Sequence, residues 1–138
     1  MAIDDNSASF TVRIEGEVSF ETWSGTFRAK TRLAHKDFLL KDRFRRELLG
    51  STGGASTDRA LTTAEIISDL HIRIVDSPKW WVESEGGLNL VDDRVLVKIH
   101  ELAVQVEKDA LEEKKKKAEE AKKEMRKDLD EKTPDKLA

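Results

Sequence analysis

Apolar residues recur along this chain with two different periods, and the change from one to the other divides it. Phe10, Val12 and Ile14 alternate with Thr11, Arg13 and Glu15, and after Gly16 the alternation resumes at Val18, Phe20 and Thr22. A period of two puts one face of a strand on a core and the other in water. Trp23-Ser24-Gly25 reads as a turn, after which Phe27, Ala29 and Thr31 alternate with Arg28, Lys30 and Arg32. The pattern predicts a hairpin with strands at about 9–22 and 26–32, turning at Trp23–Gly25. Gly16 marks either a bulge in a long first strand or a further turn that makes three strands. A lone hairpin is marginal in water, so its apolar face must lie on helices. Arg28, Lys30 and Arg32 then read as protection of a strand edge, or as part of a surface that adds a strand from another chain.

From Leu33 the period lengthens to that of a helix. Leu40, Phe44 and Leu48 fall at i, i+4 and i+8, widened by Leu33, Leu49 and Phe38, with Gly50 as the stop. This helix is basic through Lys36, Lys41, Arg43, Arg45 and Arg46, interleaved with Asp37, Asp42 and Glu47. That mixture reads as a solvated face laced with ion pairs or as a contact for an acidic partner. A Gly/Ser loop, 50–56, follows. Gly53-Gly54 lacks the Gly-Lys-Ser/Thr of a phosphate loop. Ser56 or Thr57 can cap a second helix, about 58–75, with Leu61, Ala64, Ile67, Leu70 and Ile74 on one stripe and Ile66, Ile72 and Val75 off it. Apolar on more than one side, it is the expected core helix. Asp76-Ser77-Pro78 ends it. Asp92 is placed to cap a last helix carrying Val95, Leu96, Ile99, Leu102, Ala103 and Val106, with Leu90 as a staple onto its first turn.

Beyond Val106 the apolar stripe thins, and Glu, Asp and Lys dominate. Glu112–Lys116, Glu113–Lys117 and Glu119–Lys123 have the i, i+4 spacing that supports an exposed helix. Residues 107–138 are expected to be a charged helical or partly disordered extension, fraying before Pro134. Residues 1–8 are a flexible lead-in, and 9–106 a single α+β domain: an N-terminal β-hairpin of two or three strands packed on three helices.

Composition narrows the function. Of 138 residues, 38% are hydrophobic and 38% charged, the latter well above the usual quarter. The net charge of −3 gives no global attraction to nucleic acid. Cysteine and tyrosine are absent, which removes disulfides, thiolate metal sites and Cys or Tyr chemistry. No apolar run approaches the ~20 residues of a membrane span, and the polar, acidic start is unlike a signal peptide. A soluble intracellular protein is the expectation. His35, His71 and His100 fall on three different predicted helices, and neither an HExxH nor a paired-carboxylate box is present. No catalytic, cofactor-binding or metal-ligating residue is expected, and the protein is not expected to be an enzyme. The most unusual stretch is Pro78-Lys79-Trp80-Trp81, followed by Gly86-Gly87 and Asp92-Asp93. Tryptophan is enriched both in cores and at interface hot spots, so the pair reads as one core side chain and one facing a surface or partner.

Arg45-Arg46-Glu47-Leu48-Leu49-Gly50, the Gly/Ser loop, the Ala/Leu/Ile helix and Pro78-x-Trp80-Trp81-x-x-Ser84-x-Gly86-Gly87-Leu88-x-Leu90-x-Asp92-x-x-Val95 together resemble small assembly proteins of tailed bacteriophages, the tail-assembly-chaperone type in particular. The hairpin with Trp23-Ser24-Gly25-Thr26-Phe27 fits the same pattern. The resemblance covers about residues 10–106 and is most specific from Trp80 to Asp92. It implies a non-catalytic protein without cofactors that binds other phage structural or assembly proteins, such as the tape-measure protein, in the host cytoplasm during assembly. Other small phage proteins of this size stay in the virion, at capsid, connector or tail, and join neighbours through a hairpin and a terminal helix. A homo-oligomer is compatible with either; membrane and nucleic-acid partners are not expected. Trp80, Trp81, Leu88 and Leu90 are the expected partner-binding residues, with Arg43, Arg45 and Arg46 as a secondary set. The chain departs from the pattern at Ala34, where a capping Ser or Thr is expected, and in its charged extension.

Overall fold

The computed structural model describes residues 6–50 and 57–132. Residues 1–5, the Gly/Ser loop at 51–56 and the end of the tail from 133 lie outside the described residues, whereas Ser7 and Ala8, read as the end of a flexible lead-in 1–8, belong to the first strand. The fold is α+β. Strands β1 (Ser7–Glu15) and β2 (Thr22–Lys30) form the hairpin, helices α1 (His35–Leu49) and α2 (Asp58–Arg73) follow, and a short strand β3 (Ile74–Asp76) returns to the sheet. A one-turn helix α3 (Lys79–Glu83) and a 40-residue helix α4 (Asp93–Lys132) complete it.

The sheet is antiparallel, in the order β1-β2-β3. Ser7 pairs with Lys30 and Glu15 with Thr22, which puts Phe10, Val12 and Ile14 on the same face as Phe27 and Ala29. Of these, Val12, Ile14, Phe27 and Ala29 are buried, while Ser9, Thr11, Arg13 and Thr26 face water on the other side. The apolar face lies on α4, which also packs on α2; α1 packs on the outside of α2. The core gathers Ile67 and Leu70 of α2, Trp81 of α3 and Val95, Leu96, Ile99 and Ala103 of α4 beneath the sheet. The stripes expected on the second and last helices are therefore the ones that bury, apart from Leu61, which is exposed.

Three features differ from the sequence reading. The hairpin turns at Gly16–Glu21, closed by the Gly16 amide on the Glu21 carbonyl at 2.8 Å, and not at Trp23–Gly25, which lie inside β2. Gly25 serves packing: a Cβ there would come within 2.4 Å of the Pro78 ring. Secondly, the second helix stops at Arg73, and Ile74 leaves it to pair with Ala29. The third strand thus comes from a β-branched Ile74-Val75 pair, not from a division of the hairpin at Gly16. Thirdly, α1 buries little. Phe44 and Leu48 are partly buried against the core, whereas Phe38, Leu39 and Leu40 are exposed. Its start is held without the expected hydroxyl: the Asp37 carboxylate accepts the Ala34 amide at 2.8 Å and the Lys30 ammonium at 2.7 Å. The bond from Lys30, and then the one from Ala34, keep the Asp37 carboxyl below the usual carboxylate range.

Candidate functional site

Three neighbouring constructions organise the surface: the Trp80–Asp92 joint, the hairpin turn fixed to it, and a groove beside α1. In the joint the two tryptophans separate. Trp81 is buried, edge-on to Phe27 at 5.5 Å. Trp80 is partly buried beside it, edge-on to Phe27 at 5.7 Å and to Trp81 at 6.2 Å and 5.1 Å from Trp23, and its indole N–H donates to the Ser24 carbonyl at 2.8 Å. After α3 the chain reverses around a buried Ser84. Its hydroxyl donates to the Trp81 carbonyl at 2.7 Å and accepts the Gly87 amide at 3.1 Å. Gly87 has φ +96°, and a Cβ on it would lie 2.9 Å from both Trp81 and Leu96, so this position admits only glycine. Leu90 packs on the core, while Leu88 is 43% exposed.

Asp92 ends the joint, and here the expected cap does something else. Its backbone carbonyl accepts the Leu96 amide, but its buried carboxylate reaches across to the hairpin turn, accepting the amides of Val18 at 2.6 Å and Ser19 at 3.0 Å. Hydrogen bonds from Ser19 and from the Val18 amide lower the Asp92 pKa. The Ser19 hydroxyl in turn accepts the Trp23 indole N–H and the Glu21 amide, each at 3.3 Å. Gly16 is required because a Cβ would sit 2.4 Å from the Asp92 carboxylate. Arg94 adds an ion pair to Glu17 at 3.1 Å. The turn so fixed carries Val18, 64% exposed, and Phe20, 88% exposed with φ +56°.

The groove lies between α1 and the α2–β3 corner. One part, about 370 Å³, is lined by Leu40, Arg43, Phe44, His71 and Val75 among others. A second part, about 270 Å³, shares Phe44, His71 and Val75 and extends to Trp81 and Val82. Phe44 and His71 stack at 4.2 Å and form the common wall. His71 thus packs on a ring. Asp69 is buried at the meeting of three helices, where it accepts Arg73 at 2.6 Å, pairs with Lys41 at 3.2 Å and lies 2.8 Å from the His100 ring nitrogen. Lys41 also holds Glu65 at 2.5 Å, and Arg73 holds Glu107 at 2.9 Å. Burial alone would raise the Asp69 pKa; the hydrogen bonds from His100 and Arg73 and the charges of Arg73 and Lys41 outweigh it and hold the carboxyl well below its usual range. Among the described residues no buried side-chain nitrogen or oxygen lacks a partner. This network is satisfied within itself and ties α1, α2 and α4 together.

The expected partner-binding residues fall into two groups. Trp81 is in the core and Trp80 and Leu90 pack against it, whereas Leu88 lies outside that cluster. Arg45 and Arg46 both bind Asp42, at 2.8 Å in each case, and lower its pKa, Arg45 foremost. Their charge is matched locally. Arg43, 3.5 Å from Glu47 and with a side chain 78% exposed, borders the groove whose far part reaches Trp81. The sequence reading missed Phe20 and Val18, taken as the inner face of a long strand, and the exposed face of α1. The turn closed at Gly16 was the available signal for the first. Among the described residues no group of three or more His, Asp or Glu is placed to hold a metal ion, and no helix is long and apolar enough to cross a membrane. No protein-family model, curated protein or solved structure matches the chain.

Proposed function

We propose that this protein is a non-catalytic assembly factor of a tailed bacteriophage, a tail assembly chaperone that holds tail components by protein–protein contact before they polymerise. The observation that carries the contact is the solvent face of α1. Phe38, Leu39 and Leu40 are 49%, 73% and 49% exposed on one helix, beside Arg43 and Arg46. A helix that leaves its own apolar residues in water, rimmed by arginine, has the composition of an interface rather than of a solvated face. The phage setting rests on the resemblance between Pro78 and Val95. What supports it is that these residues act as one unit: proline and Trp81 at the corner, Ser84 and Gly87 in the reversal, Asp92 at the helix start. Partners are other phage structural or assembly proteins, met in the host cytoplasm.

A permanent virion protein is the second reading. It is favoured by α4, whose 40 residues reach roughly 60 Å at the usual rise per residue, with exposed side chains from Leu111 to Leu129. Affinity purification of the tagged full chain from infected cells, with mass spectrometry of what accompanies it, separates the two. A tail component in the lysate, with the chain missing from purified particles, is the chaperone outcome. Stoichiometric retention in washed particles would replace it with the virion reading, and recovery of host proteins alone would remove both.

A further inference from the structure

We infer that the protein forms a two-fold dimer in which the open edges of β1 from two copies pair antiparallel about Val12. The ladder shows which backbone groups are open. Its two ends are closed by the Thr31 amide on the Asn6 carbonyl and the Gly16 amide on the Glu21 carbonyl. Hydrogen-bonded pairs alternate with non-bonded ones in an antiparallel ladder, so the even-numbered residues of β1 turn their N–H and C=O to β2 and the odd-numbered ones turn theirs outward. Ser7 is buried, and its carbonyl and hydroxyl accept the Arg28 guanidinium. Ser9, Thr11, Arg13 and Glu15 are exposed, and among the described residues nothing bonds their outward backbone groups. The other edge of the sheet is treated differently: β3 pairs with Arg28 and Ala29, the Trp80 indole N–H takes the Ser24 carbonyl, and the Pro78 ring lies against Gly25. β1 carries neither proline, lysine nor bulge, the usual means of keeping an edge unpaired.

The sequence of the strand selects a second copy as the occupant. Pairing about Val12 maps the open stretch 9–15 onto itself: Ser9 meets Glu15 and Thr11 meets Arg13 of the second copy, in about eight backbone hydrogen bonds, within the range of a specific interface. On the core face Val12 meets Val12, and the partly buried Phe10 meets Ile14, an aromatic–β-branched pair. Charge agrees. Among the described residues neither Arg28 nor Glu15 has an ion-pair partner. Arg28 spends its guanidinium on Ser7, and Asp76, across from it on β3, accepts the Ser77 amide. Arg94 and Lys98, which share a surface cleft with Glu15, are held by Glu17 and Glu101. In the dimer Glu15 of one copy lies in the row of Ser9 and Arg28 of the other, so an Arg28–Glu15 pair forms on each side of the axis. The neighbouring registers are worse. Shifted toward the hairpin turn, Arg13 stands directly against Arg13; shifted the other way, Glu15 meets the buried Ser7. About Val12 the two Arg13 side chains are only diagonal neighbours, each beside the Glu15 of its own strand. The inference does not depend on the phage setting, and it holds or fails on solution behaviour alone.

Sedimentation velocity on the full-length chain from low micromolar concentration to about 1 mM, with amide hydrogen exchange at both ends of that range, tests it. Wild type is expected to pass from monomer to dimer and to stop there, because a two-fold contact closes on itself. The amides of Thr11 and Arg13 should become protected as the dimer fills, while those of Phe10 and Val12, bonded to β2, are protected throughout. Thr11→Pro removes an amide that only the second copy uses, at an edge position that tolerates proline, and should weaken the dimer by about 30-fold or more. Glu15→Lys and Arg28→Glu should each weaken it by about tenfold, and the double variant should recover most of that loss. Circular dichroism verifies the fold of each variant. A wild type that stays monomeric to about 1 mM overturns the inference, and so does growth beyond a dimer. A dimer that Thr11→Pro leaves unchanged would place the contact elsewhere, on the exposed face of α1. A double variant as weak as the single ones would remove the pairing about Val12.

Discussion

At residue 85 and again at residue 20 the backbone turns left-handed under a side chain that does not favour it, with φ 57° at Glu85 and 56° at Phe20. Each turn is fixed by a polar group with little access to water: the Ser84 hydroxyl in the joint, the Asp92 carboxylate at the hairpin. They differ in what the rigidity serves. The joint directs Trp81 inward, to 5% exposure, where it meets Phe27, and the strained backbone is offset by burial inside the same chain. The hairpin directs Phe20 outward, where it buries nothing in its own chain. Asp92 belongs to both, because it ends the joint and fixes the tip.

The comparison breaks most visibly at the tryptophans. Trp81→Ala should cost about 3–5 kcal/mol, the range for a large buried aromatic. Trp80→Ala, partly exposed and bonded once to Ser24, should cost roughly half as much. Urea denaturation of both variants measures the difference; equal losses would mean that Trp80 is as deeply structural as its neighbour and has nothing to offer a partner.

Next in size is the Asp69 network. Asp69→Asn leaves Arg73 and Lys41 facing a neutral group in a buried place, and should cost about 3 kcal/mol at neutral pH. The same substitution changes the response to acid. Asp69, Asp37 and Asp92 all have lowered folded-state pKa values. Their stabilisation is therefore complete above the unfolded carboxylate value of about 3.9 and fades as pH falls below it. Wild type should lose stability steadily from about pH 4 downward, and the Asn variant should lose less over that interval. Parallel curves would show that the Asp69 pKa does not change on folding.

How far these features were legible follows from how local their causes are. Strand alternation from Phe10 to Ile14 and the stripes of α2 and α4 come from single-element burial, and the sequence pattern carries them directly. The hairpin turn was misplaced because Trp23-Ser24-Gly25 has turn composition for a non-local reason: Gly25 makes room for Pro78, more than fifty residues away. Asp92 occupies a capping position, and no local rule sends its carboxylate to residues 18 and 19. The Asp69 network draws on Lys41 and His100, 28 and 31 positions off, and so leaves no trace in any window. The Trp80–Asp92 stretch stood out as a joint. The exposure of Phe20 and Leu39 did not, because it is set by what fails to cover them.

The smallest effect sharpens the comparison furthest. Phe20→Gly and Glu85→Gly each relieve a left-handed backbone, and each should change stability by no more than about 1 kcal/mol, on the stabilising side. On stability alone the two turns are then indistinguishable. Thermal melts of the two variants measure both changes. A loss of melting temperature at residue 20 beside a gain at residue 85 would show that the Phe20 ring stabilises its own chain despite its exposure.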